Sequence, residues 1–169
     1  MDAKDYQRGL TASRLRDVLD YDQLTGVFTW RVANRNAKIG AVAGTLNKQT
    51  GYRLIKVDGF DYLAHRLAHL HVTGAWPASC VDHVNLDRAD NRWANLRPAT
   101  RLQNAHNRGL TSSNSSGFKG VSASRGGWQA NIRVNGKLKF LGRYPSPEAA
   151  HAAYAAAALQ SFGHFARAS

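Results

Sequence analysis

Residues 81–97, VDHVNLDRADNRWANLR, set a carboxylate beside an imidazole at Asp82-His83 and follow them with amides at Asn91 and Asn95. A histidine titrates near neutral pH, so it suits the removal of a proton from water. Carboxylate and amide oxygens are what a hard divalent cation binds; Mg²⁺ takes one or two protein oxygens and keeps several waters. An amide carbonyl can also fix the tautomer of a histidine by accepting its second N–H. If the backbone at 80–83 is extended, Asp82 and His83 point to opposite sides. One could then grip a metal while the other meets water. Asn104 follows on a predicted helix and faces back if that helix packs on the strands. The ordinary use of such residues is different: Asp-His pairs sit in solvated loops, and Asn-rich loops make turns and caps.

Charge narrows the substrate. The chain has 169 residues, 43% hydrophobic, enough for one ordinary domain or two small ones with a real core. Its formal charge is +12 and its pI about 10.5, which draws polyanions. Residues 1–107 carry 15 Lys+Arg against 10 Asp, and residues 108–169 carry 8 against the single Glu148. The shorter C-terminal part is the denser cationic surface and reads as a nucleic-acid-binding unit. With such a partner, the Asp-His-amide set fits phosphodiester hydrolysis. That reaction needs a deprotonated water, in-line geometry and charge neutralised on the leaving 3′ oxygen. Cys80 is the one cysteine, so no disulfide within the chain and no cysteine-based zinc site is possible. The N-terminal MDAKDYQRGL is too polar for a signal peptide, and no apolar run nears the roughly 20 residues of a membrane span. A soluble, cytoplasmic protein without a membrane partner is expected.

The elements that must position these groups follow from patterning. Thr11 or Ser13 can cap a short helix through Leu15, Val18 and Leu19. GVFTWRV (26–32) alternates as a strand. TGYRLIKVDGFDYLAHRL (50–67) reads as a hairpin turning at Asp58-Gly59, and from Tyr62 to about Val72 the pattern is helical, ending at Thr73-Gly74. Residues 80–83 and 96–98 are strand candidates around a polar loop, and Thr100 can cap a helix to about Asn107. TSSNSSG (111–117) reads as a flexible linker. Beyond it FKGVSAS, WQANIRV and KLKFLGRY are three strands, the last two joined by Asn135-Gly136, a strong hairpin signal. Ser146-Pro147-Glu148 opens a helix in which eight of residues 149–158 are Ala, favourable for helix formation and for close approach to a sheet. The expected class is α+β, with residues 1–110 as one domain and 118–169 as a three-strand-plus-helix domain.

Residues 62–108 resemble the HNH family of endonucleases, specifically the H-N-N variety of homing endonucleases from phages and mobile introns. The matching landmarks are HRL at 65–67, Asp82-His83, Asp90-Asn91, Asn95-Leu96-Arg97 and Gln103-Asn104. The resemblance implies a ββα-metal fold, His83 as general base and Asp82 with Asn104 holding one divalent ion. It also implies Asn95 orienting His83, and Asn at 104 points to Mg²⁺ or Mn²⁺. His65 gains no step from it and reads as a helix-start histidine or a phosphate contact. Trp93 reads as loop packing, and Arg97, Arg101 and Arg108 as phosphate contacts.

Residues 117–166 resemble the plant ethylene-response-factor (APETALA-two) DNA-binding domain. The matches are F-K-G-V, W-x-A-x-I, L-G-x-Y, E-A-A-x-A-Y and the G-x-F-A close. This implies a sheet in the major groove with the helix behind it, as such domains follow HNH modules in phage endonucleases. A two-residue turn at 135–136 would set Val134 against Lys137, Arg133 against Leu138 and Asn131 against Phe140. One face then carries Gln129, Asn131, Arg133, Leu138 and Phe140, the expected DNA side. The other carries Trp128, Ala130, Ile132, Val134 and Leu141, with Lys137 and Lys139 having to snorkel. Lys119, Arg125 and Arg143 are expected on phosphates.

The reading that follows is a metal-dependent endonuclease acting on double-stranded DNA inside a bacterial host, as monomer or homodimer. Its alternative is a non-catalytic DNA-binding regulator with a decayed nuclease module. The sequence leaves open the target site, nicking against double-strand cutting, and whether residues 1–60 are scaffold or a further DNA-contacting surface.

Overall fold

The computed structural model describes residues 9–33, 37–107, 109–110 and 114–166. Arg108 and the first three residues of the expected linker, 111–113, lie outside them. The chain forms two compact units, 1–101 and 102–169, so the division falls at the first residue of the helix expected after Thr100.

In the first unit α1 (Ala12–Val18) starts at Thr11, whose side chain accepts a hydrogen bond from the Arg14 amide at 3.1 Å. It buries Leu15 and Val18 and runs directly into β1 (Leu19–Tyr21), which alternates in, out, in. β1 pairs antiparallel with β2 (Phe28–Trp30). The sequence hid β1, because at three residues it is shorter than any periodic window. β3 (Thr45–Leu46), β4 (Arg53–Val57) and β5 (Phe60–Leu63) form a three-stranded antiparallel sheet in that order. Asp58 and Gly59 have φ of 47° and 86°, the left-handed pair that a two-residue hairpin turn demands.

α2 (Ala64–Thr73) follows β5 without a break and stops at Gly74, φ 79°. Tyr62 and Leu63, expected in this helix, belong to the strand because they pair with Ile55 and Leu54. Tertiary pairing overrides the local helical pattern there. Ala64, His65, Arg66, Leu67, Ala68 and Leu70 are all buried, so α2 runs through the core with Leu15, Phe28, Ile55 and Val81. β6 (Cys80–His83) and β7 (Leu96–Ala99) make a two-stranded antiparallel ribbon, and α3 (Arg101–His106) begins just after it. The strand–loop–strand–helix order expected from the sequence is present.

The second unit holds β8 (Val121–Ser124), β9 (Gly127–Val134), β10 (Lys137–Tyr144) and α4 (Pro147–Phe162). The sheet order is β10-β9-β8. Ser146 caps α4 by accepting from the Ala149 amide at 3.2 Å. Val121, Ala130, Ile132, Ala150, Tyr154 and Ala158 are buried between sheet and helix. Gly120 cannot be replaced here: φ is 72°, and a Cβ would stand 2.1 Å from the Tyr154 ring. The end of the expected linker is structured. The Asn114 side chain donates to the Phe118 carbonyl at 2.8 Å and accepts from the Gly117 amide at 2.8 Å. Ser116 Oγ donates to the Val121 carbonyl at 2.9 Å. Short polar side chains that read as flexibility are satisfying the backbone ahead of β8.

Candidate active site and nucleic-acid face

His83 ends β6, and the loop 84–95 returns the chain to β7. The loop is held by its own amides. Asn95 accepts from the Asn85 amide at 3.0 Å through Oδ1, and its NH₂ donates to Asn85 Oδ1 at 2.9 Å and to the Asp90 carbonyl at 2.8 Å. Asn85 Nδ2 donates to Asp90 Oδ2 at 2.8 Å, and Arg92 clamps Asp90 with contacts of 2.8 and 2.6 Å. The Arg92 guanidinium is the first cause that holds the Asp90 carboxyl down at about 2. Asn95, expected to orient His83, instead closes the loop, with both its amide hydrogens used there.

The side chain within reach of His83 is Asn91, 2% exposed, with Oδ1 at 3.3 Å from Nε2. Asn91 Nδ2 donates to the Ala89 carbonyl at 3.0 Å, which turns Oδ1 toward the imidazole. An amide oxygen only accepts, so Nε2 carries the hydrogen and Nδ1 keeps its lone pair. The Asp90-Asn91 landmark carried the signal for this residue, but spacing alone does not say which of two nearby amides reaches the ring.

Two hairpins from the N-terminal part brace this loop. Tyr21 Oη donates to the Asn91 carbonyl at 2.6 Å, and the Trp93 amide donates to the Gln23 carbonyl at 3.0 Å. In the same β1–β2 turn Gly26 lies so close that a Cβ would stand 2.4 Å from Arg92 N. From the turn before β4, Thr50 O accepts from Arg88 at 2.9 Å. Tyr52 lies against His65 and His83, with ring centres 5.0 and 6.0 Å away. Scaffolding of the loop is therefore a role that residues 21–26 and 50–52 perform.

His65, second residue of α2, is buried edge-on to His83 with ring centres 4.9 Å apart. Burial, then the neighbouring His83 and Arg66, push its pKa well below the ordinary histidine value. Burial also lowers the pKa of His83, against the opposing pull of Asn91 and of Asp82. Both rings are therefore neutral at neutral pH. Arg66 on the next helix position donates to the Ser79 carbonyl at 2.8 Å and so fixes the chain as it enters β6.

Asp82, 3% exposed, sits opposite Arg97 in the β6–β7 ladder. Arg97 Nε and a terminal nitrogen donate to Asp82 Oδ2 at 2.9 and 2.8 Å. Arg97 was expected on a phosphate; the ladder partner across the ribbon takes it instead. Trp93 packs against the core as expected. Asn104 is half-buried on α3 in the second unit, and Arg101 is exposed at the start of that helix. A cleft of about 900 Å³, lined by Arg14, Trp30, Lys56 and Asp58 among others, opens in the first unit, and no candidate catalytic residue borders it.

In the second unit the register is the expected one: Val134 opposite Lys137, Arg133 opposite Leu138, Asn131 opposite Phe140. Asn135 and Gly136 have φ of 50° and 79°, the two-residue turn. A bulge at Leu141 then shifts the pairing, so that Gly142 meets Ala130 and Arg143 meets Gln129. The shift moves Arg143 onto the face of Gln129, Asn131 and Arg133, where an unbroken ladder would have sent it to the helix side. Arg133, Arg143 and Arg125 are exposed, and Gln129, Asn131 and Lys119 are half-buried. Leu138 is 63% and Phe140 56% exposed on this face. Lys139 lies opposite Ile132 on the helix side and still reaches solvent, because β10 is an edge strand.

The family comparison bears on part of the first unit and on α3. Residues 62–106 match the HNH endonuclease family. The matched span runs from the end of β5 through α2, the β6–β7 ribbon and its loop into α3. The chain is also 34% identical over 104 residues to an uncharacterized HNH endonuclease of Acanthamoeba polyphaga mimivirus, covering 60% of this chain and 54% of that protein. It thus spans about half the length of this relative. No solved structure matches the chain significantly. Among the described residues no helix is long and apolar enough to cross a membrane.

Proposed function

We propose that the chain is a divalent-metal-dependent DNA endonuclease, with His83 as general base and the exposed face of the C-terminal sheet as its grip on duplex DNA. The observation that carries this reading is the state of His83. Its ring is buried at a strand end inside the HNH segment, kept neutral, and held by Asn91 in the tautomer whose Nδ1 carries the lone pair a base needs. Removing that proton by a positioned histidine contributes typically 10²–10⁴-fold to rate.

The donor set fits a hard cation. Asp82 is the carboxylate of the first unit that would hold it, and the sequence pairs with it the amide of Asn104, on α3 in the second unit; one or two protein oxygens suit a largely hydrated Mg²⁺ or Mn²⁺. Among the described residues no group of three His, Cys, Asp or Glu gathers to cage an ion. When bound, the ion supplies neutralisation of charge on the leaving 3′ oxygen. Arg97 neutralises Asp82 across the ribbon, and Asn91 of the loop 84–95 holds the His83 ring.

On the sheet, Arg133 and Asn131 read base edges, Phe140 and Leu138 offer apolar contact to thymine methyls, and Arg143, Arg125 and Lys119 meet phosphates. This assigns the second unit the role of an ethylene-response-factor-like DNA-binding domain. Arg101 contributes a further phosphate contact.

The ion pair between Arg97 and Asp82 favours one second reading, a DNA-binding protein whose nuclease module no longer takes a metal. A supercoiled-plasmid assay separates the two. Conversion to nicked or linear DNA with 5 to about 10 mM Mg²⁺, abolished by a chelator, is the expected outcome. Gel retardation of a duplex without any metal-dependent cutting leaves the second reading standing.

A further inference from the structure

The arginines around the His83 loop differ in one respect. Arg92 is neutralised by Asp90 at 2.6 Å and Arg97 by Asp82 at 2.8 Å. Arg88, in the same loop, makes no ion pair among the described residues. It is nonetheless held in place. One terminal nitrogen donates to the Thr50 carbonyl at 2.9 Å, and its guanidinium carbon stands 5.0 Å from the centre of the Tyr52 ring. Gly51 lies beneath its stem, with a Cβ there meeting Arg88 Cβ and Cδ at 3.7 Å. Tyr52 also lies against the rings of His65 and His83. An exposed, oriented cation is thus fixed one aromatic ring away from the candidate base.

Holding a long cation still in solvent has an entropic cost, and no carboxylate among the described residues forms an ion pair with it. An exposed planar guanidinium with N–H groups beyond the one bonded to Thr50 matches the oxygens of a phosphate. We propose that Arg88 is the phosphate-holding residue of this site, contacting a backbone phosphate of the nucleic acid strand that His83 addresses, with Tyr52 as the platform that aims it. The proposal rests on the endonuclease reading for its rate prediction, but its binding prediction stands apart from catalysis.

The full chain, Arg88→Gln and Arg88→Lys are compared on a duplex of about 30 base pairs and on supercoiled plasmid. Arg88→Gln keeps the stem over Gly51 and removes the charge. It is expected to lower the single-turnover cleavage rate about 10- to 100-fold, the range for a lost charge-assisted hydrogen bond. It also lowers the slope of log affinity against log salt by about 1, with the urea midpoint unchanged. Arg88→Lys restores the salt slope and only part of the rate, since an ammonium lacks the flat fork. If Arg88→Gln cuts at the wild-type rate with the wild-type salt slope, the assignment is wrong while the nuclease reading survives. If the wild type itself never cuts, that reading fails, and the salt slope alone decides whether Arg88 holds a phosphate. Should Arg88→Gln unfold, Arg88→Lys decides. A wild-type salt slope with reduced rate supports the contact, and loss of both with a lowered urea midpoint makes Arg88 structural and overturns it.

Discussion

The loop between β6 and β7 and the outer face of β9–β10 are both rich in amides and arginines, and they use them in opposite ways. In the loop Asn85, Asn91, Asn95, Asp90 and Arg92 bond to one another and to the loop backbone, and Asn91 and Asn95 are buried. On the sheet Arg143 is exposed, as is Arg125 in the β8–β9 turn, and Arg133 reaches no further than its own turn, donating to the Gly136 carbonyl at 3.0 Å. Polar side chains that face inward hold a geometry; those that face outward wait for a partner. The lesson is that residue type alone does not separate a scaffold amide from a recognition amide. The number of internal partners does.

This contrast yields a graded set of outcomes. His83→Ala should reduce single-turnover plasmid nicking by 10²-fold or more while leaving duplex affinity nearly intact; a variant that cuts at the wild-type rate would remove His83 from the mechanism. Arg97→Ala strands the buried Asp82 carboxylate and should cost about 3 kcal/mol in urea denaturation. An unchanged midpoint there would mean that Asp82 is already compensated by another group. Asn95→Ala removes three loop hydrogen bonds and should destabilise by about 2 kcal/mol, with cleavage falling because the loop loosens.

Acidification acts on the same inward side. His65 has its folded-state pKa depressed by burial, so the unfolded chain binds the proton more readily. Stability is full above the unfolded value of about 6.5 and declines as pH falls toward the folded value, by at most about 1.4 kcal/mol per unit for that one group. Urea midpoints at pH 7.5 and about pH 5 measure it, and His65→Phe should give the shallower profile. Arg133→Ala, on the outward side, should weaken duplex binding about tenfold and shift stability by no more than about 0.5 kcal/mol. If Arg133→Ala destabilised the fold as much as Asn95→Ala, the distinction between the two regions would fail.

Local signals were strong where one short stretch settles its own conformation. Thr11 and Ser146 cap the helices they were expected to cap, because a side-chain oxygen needs only the amide three residues on. Asp58-Gly59 and Asn135-Gly136 turn their hairpins, because few residue pairs accept two positive φ angles. The register of β9 against β10 followed from that turn as far as Phe140. The bulge at Leu141 did not: Gly142 carries no message about which pairing step is skipped, and the placement of Arg143 depends on it. TSSNSSG read as a tether because its bonds to Phe118 and Val121 are invisible without the strand they precede.

The sequence by itself determined that Asp82 and His83 adjoin on an extended segment, that a polar loop and a helix follow, and that a basic hairpin with a helix behind it closes the chain. It could do so because these features are set by period-two alternation, caps and turn residues within a few positions of one another. Only the tertiary structure decided that Asn91 rather than Asn95 meets His83, that Arg97 turns to Asp82, and that His65, His83 and Arg88 gather around the Tyr52 ring. Those neighbours come from strands, a helix and loops up to dozens of residues apart, and their meeting is fixed by strand pairing and core packing, which no local pattern encodes.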